Sequence, residues 1–208
     1  MVALDRIVTS TGSVTGASTG SVTGASTGAV TGASALGGDA LSLPFADDSF
    51  DLVFCQCVLM WVTAATSVTS TGSVTGGLET AVSEIHRILE PNGVLIALEP
   101  DYAGMIEHPP QIVTRDIWLS ALARVGAEPR AGRLLPGLLT AQGFVVRVDL
   151  LDSLLAPDVT RFDFLRTLPL LPEEMSTLDQ AALAGDNLAG AWQQIAHLPF
   201  FLITATKM

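Results

Sequence analysis

The chain has 208 residues, 49% of them hydrophobic and 15% charged, with a formal net charge of −11 at pH 7. That length and apolar fraction allow one domain with a buried core and exclude a wholly disordered chain. A protein that grips a phosphate backbone needs clustered cations, and no run of Lys or Arg occurs here, so nucleic acid is excluded as a partner.

Met1–Val8 is short and apolar, compatible with one strand. Thr9–Ser34 is an array of the octapeptide STGSVTGA, built from Ser, Thr, Gly, Ala and Val. A solenoid needs a bulky apolar face on which to stack, and this unit offers only Val, so the array reads as low-complexity sequence. VTSTGSVTG occurs at Val8–Gly16 and again at Val68–Gly76. From Gly38 the composition changes: GDALSLPFADDSF reads as a short strand, then a loop with an acidic turn. Asp51–Val62, DLVFCQCVLMWV, is a continuous apolar run, as expected of a buried parallel strand. Thr63–Gly77 is a loop holding the second repeat copy. Leu78, Val82, Ile85 and Leu89 recur at three- and four-residue spacing and predict a helix over Leu78–Leu89, stopped by Pro91-Asn92-Gly93. Val94–Pro100 is another buried strand, which completes a βαβ unit.

Further on, helices are expected at Val113–Val125 and at Arg133–Gln142, the second capped by Gly143. FVVRVDLL (Phe144–Leu151) alternates as a strand. Thr160–Leu168 and Pro172–Ala196 read as helical, the latter interrupted near Gly185 and Gly190. Phe200–Ala205 is a last strand, giving an open sheet finished by an antiparallel edge hairpin. The two cysteines, Cys55 and Cys57, are too close in one segment to bond to each other, so a disulfide framework is excluded. No long apolar run marks a membrane span, and MVALDRIVTS lacks the layout of a signal peptide. The expectation is a soluble cytoplasmic protein without a membrane partner.

GDALSLPFADDSFDLVFCQCVLMWV, followed by AVSEIHRILEPNGVLIALEPD, resembles the class I S-adenosylmethionine-dependent methyltransferases. The closest subgroup is the small-molecule type related to ubiquinone and menaquinone biosynthesis. The shared pattern is an acidic-small pair, LPF, an acidic loop into SFD, a buried strand, then a helix ending E-x-x-R-x-L-x-P-G-G and another strand. Glu84, Arg87, Leu89, Pro91 and Gly93 match that ending; Asn92 stands for the first glycine, a mild change because Asn tolerates a left-handed backbone. GRLLPGLLTAQGF resembles the family's helix before its sixth strand. The resemblance covers Gly38–Met208 and implies an α/β, Rossmann-like methyltransferase sheet. It also implies S-adenosylmethionine as cofactor and a small-molecule methyl acceptor as partner.

It implies roles for matching positions. Asp39 would accept a hydrogen bond from the adenine amino group, with the backbone N–H of Ala40 facing the ring. Gln56 and Cys57, at the end of the buried strand, would line the cofactor pocket, since ligands of open α/β sheets sit outside the carboxyl ends of strands. Glu99, Asp101 and Tyr102 could face the substrate. The family's first strand ends in an acidic-Gly-x-Gly-x-Gly turn, where side chains would block approach of the backbone to the cofactor. Here the matching stretch is LDRIVTSTGSVTG, in which Gly12 and Gly16 stand as remnants, while an expected glycine falls on Val8 or Ser10. Two strand–helix pairs should separate that turn from Asp39, and the distance from Gly12 is roughly half of what they need. No Asp or Glu occurs between Asp5 and Asp39, so the family's ribose-binding acid has no candidate. The N-terminal strand–helix units are read as missing or degenerate. Residues 1–37 form a degenerate strand plus repeat, and residues 38–208 a methyltransferase-like domain.

Plainer readings stand beside these. Asp39 is either an adenine contact or a loop acid. Asp47, Asp48 and Asp51 fit turn and strand-boundary acids, the cysteines small core residues, and His86 a helix surface. No set of four ligands for a metal is found. Glu107-His108 is either a base near the substrate or structural. Two functions follow: methyl transfer, with activity impaired or intact, or a non-catalytic remnant serving as an interaction module or without function. Loss of two strand–helix units would open an apolar sheet edge, which invites a homo-oligomer.

Overall fold

The structure is a computed structural model, and it describes residues 2–4, 37–62, 76–151, 153–154, 157, 160–188, 190 and 192–208. The strands are β1 (Val2–Leu4), β2 (Phe50–Gln56), β3 (Leu89–Pro100), β4 (Ile106–His108), β5 (Phe144–Leu151), β6 (Ile195–His197) and β7 (Phe200–Lys207). The helices are α1 (Gly76–Ile88), α2 (Arg115–Arg124), α3 (Ala131–Ala141), α4 (Asp163–Arg166) and α5 (Pro172–Asp186). Five strands form one sheet in the order β1-β2-β3-β7-β5, and β4 pairs with β6 apart from it.

The β2–α1–β3 segment is the βαβ unit expected from the sequence, with Val53 opposite Leu95 and Cys55 opposite Ala97 in parallel register. β7 inserts antiparallel between β3 and β5. The late antiparallel pair is therefore present, with β5 rather than the last strand at the edge. Only β1 precedes β2 among the described strands. This is the α/β, Rossmann-like sheet the sequence points to, without further described strand–helix units between β1 and β2.

Core residues alternate along the strands, as a sheet with one covered face requires. Val53, Cys55, Leu95, Ala97, Ile203 and Ala205 are buried against Leu78, Val82, Ile85 and Ile88 of α1 and Leu135 and Leu139 of α3. A second cluster, around Tyr102, Trp118, Leu122, Phe162, Leu165 and Leu178, joins α2, α4 and α5. It also takes in Met60, which follows β2, as Tyr102 follows β3, so it sits at the carboxyl ends of the parallel strands.

Several expected boundaries shift. The apolar run at Asp51–Val62 leaves the strand after Gln56: Cys57 adopts φ 52°, and Leu59–Trp61 form a 3-10 turn. The stretch from Gly38 holds only an isolated bridge between Asp39 and Ser42. The helix expected to Ala196 ends at Asp186, because Gly185 and Gly190 weaken it. Gln194 then donates its amide to Gly185 O at 3.2 Å, and Ile195–His197 leave to pair with β4. Asn92 takes φ 67°, the left-handed conformation that Asn tolerates in place of glycine.

Candidate functional site

β1, β2 and β3 run parallel, and Leu4 registers with Cys55 while Gln56 registers with Leu98. Three strands thus end on the same side, and the chain leaves β1 beside the end of β2. Gln56 is exposed there, following Leu52 and Phe54 on the face opposite the core. Cys57 is half-buried and donates its N–H to Leu98 O at 2.8 Å. Burial and the nearby Glu99 push its thiol up to about 11, so it stays protonated at neutral pH. Cys55 is fully buried in the core.

Asp39 is exposed, and its Oδ1 accepts the Leu41 N–H at 2.9 Å in a local turn. A carboxylate has room for further donors, so this bond leaves Asp39 able to accept another. Ala40 is half-buried against the sheet core. The loop that carries both is fixed from α1. Glu84 accepts the Leu43 N–H at 2.8 Å, and Arg87 donates to Leu43 O at 3.0 Å and Phe45 O at 2.8 Å. Arg87 also bonds Glu84 and Asp47. The E-x-x-R pattern is thus a clamp on the backbone of the LPF loop. The sequence displayed both motifs without showing that one holds the other. Asp48, at φ 51°, pairs with Lys207, which fits the turn-acid reading.

Glu99 faces a backbone turn. Its carboxylate is fully buried and accepts N–H groups of Val58 at 3.0 Å, Leu59 at 2.8 Å and Met60 at 3.3 Å. Burial raises its pKa from 4.5 to about 7, against the lowering effect of those three donors. It holds the turn that carries the chain away from the Gln56–Cys57 strand end. Tyr102 is buried as well, stacked 4.8 Å from Trp118, and burial raises its phenol.

Asp101 is 2% exposed, and its Oδ2 accepts from Arg133 Nε at 2.8 Å. Its Oδ1 is buried with no partner among the described residues. Such atoms are rare, because a buried polar group without a bond is costly. Buried Glu128 similarly holds Arg130, at 2.8 Å. Gly132 brings these arginines to the end of β3: a Cβ there would meet Glu99 O at 2.9 Å and Pro100 O at 3.1 Å. Nothing in the sequence pattern singled out this pair of acid-held arginines. Trp61 and Trp118 both contact Phe164, with centroids at 6.2 and 5.8 Å, so an aromatic group stands above the carboxyl ends of β2 and β3.

Glu107 caps α2: it accepts the N–H and hydroxyl of Thr114 and the N–H of Arg115. His86 is half-buried, edge-on to Phe144, and its pKa is lowered mainly by burial. Asp39 and Ala40 lie in the clamped loop, and Gln56 and Cys57 at the end of β2. Gly12 and Gly16 lie outside the described residues, as does most of the second repeat copy. No helix among the described residues is long and apolar enough to cross a membrane.

Residues 17–97 match the model of a family described as a methyltransferase domain. No curated protein matches the chain. Among solved structures, the fold is similar to that of a candidate methyltransferase from Bacillus halodurans C-125, at 14% identity and a TM-score of 0.51, covering 82% of this chain and 70% of that one. The YcgJ protein of a Bacillus species matches at 15% identity and a TM-score of 0.47, over 82% of this chain and 69% of that one. A phosphoethanolamine N-methyltransferase of Haemonchus contortus, solved with S-adenosyl-L-methionine, matches at 16% identity and a TM-score of 0.42, over 81% of this chain and 36% of that one.

Proposed function

We propose that this chain binds S-adenosylmethionine and transfers its methyl group to a small, largely apolar acceptor. The observation that carries this reading is the coincidence of the methyltransferase-domain match over residues 17–97 with a sheet in which β1, β2 and β3 end together at a clamped acidic loop. When bound, the cofactor supplies a methyl on a sulfonium, already activated towards a nucleophile, so the protein's main task is alignment. Asp39 accepts from the adenine amino group and the Ala40 N–H faces the ring. Gln56 and Cys57 form the wall at the end of β2. Glu99 fixes the Val58–Met60 backbone beside them, and the aromatic group of Trp61, Trp118 and Phe164 excludes water and favours an apolar acceptor. The residues present fit the adenine side of the cofactor: an exposed carboxylate with spare acceptor capacity, on a loop held by three side chain–backbone bonds. The small-molecule subgroup related to quinone biosynthesis is the one its motifs resemble most.

A second reading rests on a different observation. No acid lies between Asp5 and Asp39 to hold a ribose, which favours a non-catalytic descendant that serves as an interaction module. Hydrogen exchange with and without S-adenosylhomocysteine separates the two. Methyl transfer predicts protection of peptides spanning residues 37–45 and 54–62. Unchanged exchange throughout, at saturating ligand, supports the remnant and contradicts the enzyme.

A further inference from the structure

β5 is the outer strand of the sheet: among the described residues it pairs with β7 along one edge and with no strand along the other. Its eight residues run from Phe144 opposite Lys207 to Leu151 opposite Phe200 with no break in register. An open edge presents unused N–H and C=O groups, and proteins blunt such edges with charged side chains, Pro, bulges, brevity or a covering segment. FVVRVDLL contains no Pro and no bulge, and its two charges, Arg147 and Asp149, are of opposite sign and bond each other. It exposes Val145 at 57%, Val148 at 40%, Leu150 at 51% and Leu151 at 45%.

We propose that β5 pairs antiparallel with β5 of a second copy of this chain, centred on Val148, to form one sheet continuous across a two-fold axis. A two-fold contact must be self-complementary: if one position meets another, the second must meet the first. This strand satisfies that condition position by position. On one face, Val145 meets the partner's Leu151 and Arg147 meets the partner's Asp149. On the other, Val146 meets the partner's Leu150 and Val148 meets its own copy. Arg147 and Asp149 already bond within one chain at 3.0 Å, both exposed, so their charges lie on one face and can be shared across the axis. Parallel pairing in register would oppose Arg with Arg and Asp with Asp. Directly opposed like charges are destabilising, so the charge order selects the antiparallel arrangement. A slip by one residue would set apolar positions against charged ones and turn the pattern to the wrong face. Val146, Val148 and Leu150 register with Ala205, Ile203 and Phe201, so the core face of each sheet would run on across the junction. This inference does not depend on the cofactor reading.

Sedimentation analysis of the full chain tests it. The wild type is expected at twice the chain mass. Arg147→Asp places like charges opposite each other on both sides of the axis and is expected to weaken association by about tenfold or more. Arg147→Asp combined with Asp149→Arg reverses both charges and is expected to restore the dimer. Circular dichroism checks that each variant is folded; if one is not, Val148→Lys, which sets two cations at the axis, reads the same contact. A wild type that stays monomeric overturns the proposal. So does a folded Arg147→Asp variant that dimerises undiminished, or a folded double reversal that stays monomeric.

Discussion

Glu99 illustrates how a buried acid is tolerated when the backbone supplies its partners. Its two oxygens take three N–H groups from Val58, Leu59 and Met60, each of which would otherwise be a buried donor without an acceptor. Glu99→Ala removes all three acceptors and is expected to cost about 3 kcal/mol in urea unfolding. The pH dependence has a defined sign. Folded Glu99 keeps its proton to about pH 7, whereas the unfolded side chain loses it near 4.5. Between those values the folded state binds more protons, so this group's contribution to stability falls as pH rises and is flat above both. The difference in unfolding free energy between wild type and Glu99→Gln is therefore expected to fall between pH 4.5 and 7, by on the order of 2–3 kcal/mol. A difference that rises over that range would contradict the assignment. At this scale the sequence was uneven. Asn92 announced its left-handed backbone because few residues accept one. The sequence offers Glu99 and Asp101 alike as acids at a strand end; Glu99 is taken up by the Val58–Met60 backbone and Asp101 Oδ2 by Arg133. Whether an acid faces a ligand or a turn is decided by chain segments forty residues away, which local pattern does not encode.

Helix α3 shows what elements require of single positions. Its first turn packs on the end of β3 through Gly132, where a Cβ would lie 2.9 Å from both Glu99 O and the Phe201 ring. Gly132→Ala is expected to destabilise by about 1–3 kcal/mol, since overpacking must displace backbone. Gly137, in the same helix, has nothing within 4 Å of a built Cβ. Gly137→Ala is expected to stabilise by about 0.5–1 kcal/mol through helix propensity. Thermal unfolding of the two variants should move in opposite directions; movement in the same direction would mean the helix is placed wrongly. The clamp by α1 makes a further prediction. Arg87→Ala is expected to leave helix content unchanged by circular dichroism but to weaken S-adenosylhomocysteine binding, because Leu43 O and Phe45 O lose their donor and the Asp39 loop loosens. Helix and strand types were legible here, since α1, α3, β3, β5 and β7 carry long periodic patterns. β4, β6 and the 3-10 turn after Cys57 were not, because each is three residues long and exists through its tertiary partner.

For the whole molecule, sheet order is the informative feature. The sequence carried the βαβ unit and the late antiparallel pair, which make an open, partly parallel sheet; its Rossmann-like character was implied by the resemblance to class I methyltransferases. It did not carry the insertion of β7 between β3 and β5, which depends on pairing between strands far apart in the chain. It also did not reveal that the apolar residues of β5 would be left at an edge. The expected site divides in the same way. Asp39, Ala40, Gln56 and Cys57 fall at strand ends or on the clamped loop, while Gly12 and Gly16 lie outside the described residues. The proposed function puts the adenine side of an S-adenosylmethionine site on residues 38–62, held by α1 and Glu99. Calorimetric titration of the full chain with S-adenosylhomocysteine tests it most directly, because this ligand binds without turnover. Saturable binding at one site per chain, lost in Asp39→Ala while the fold is retained, is the expected result. Absence of heat from folded wild-type protein, or binding unchanged by Asp39→Ala, would contradict it.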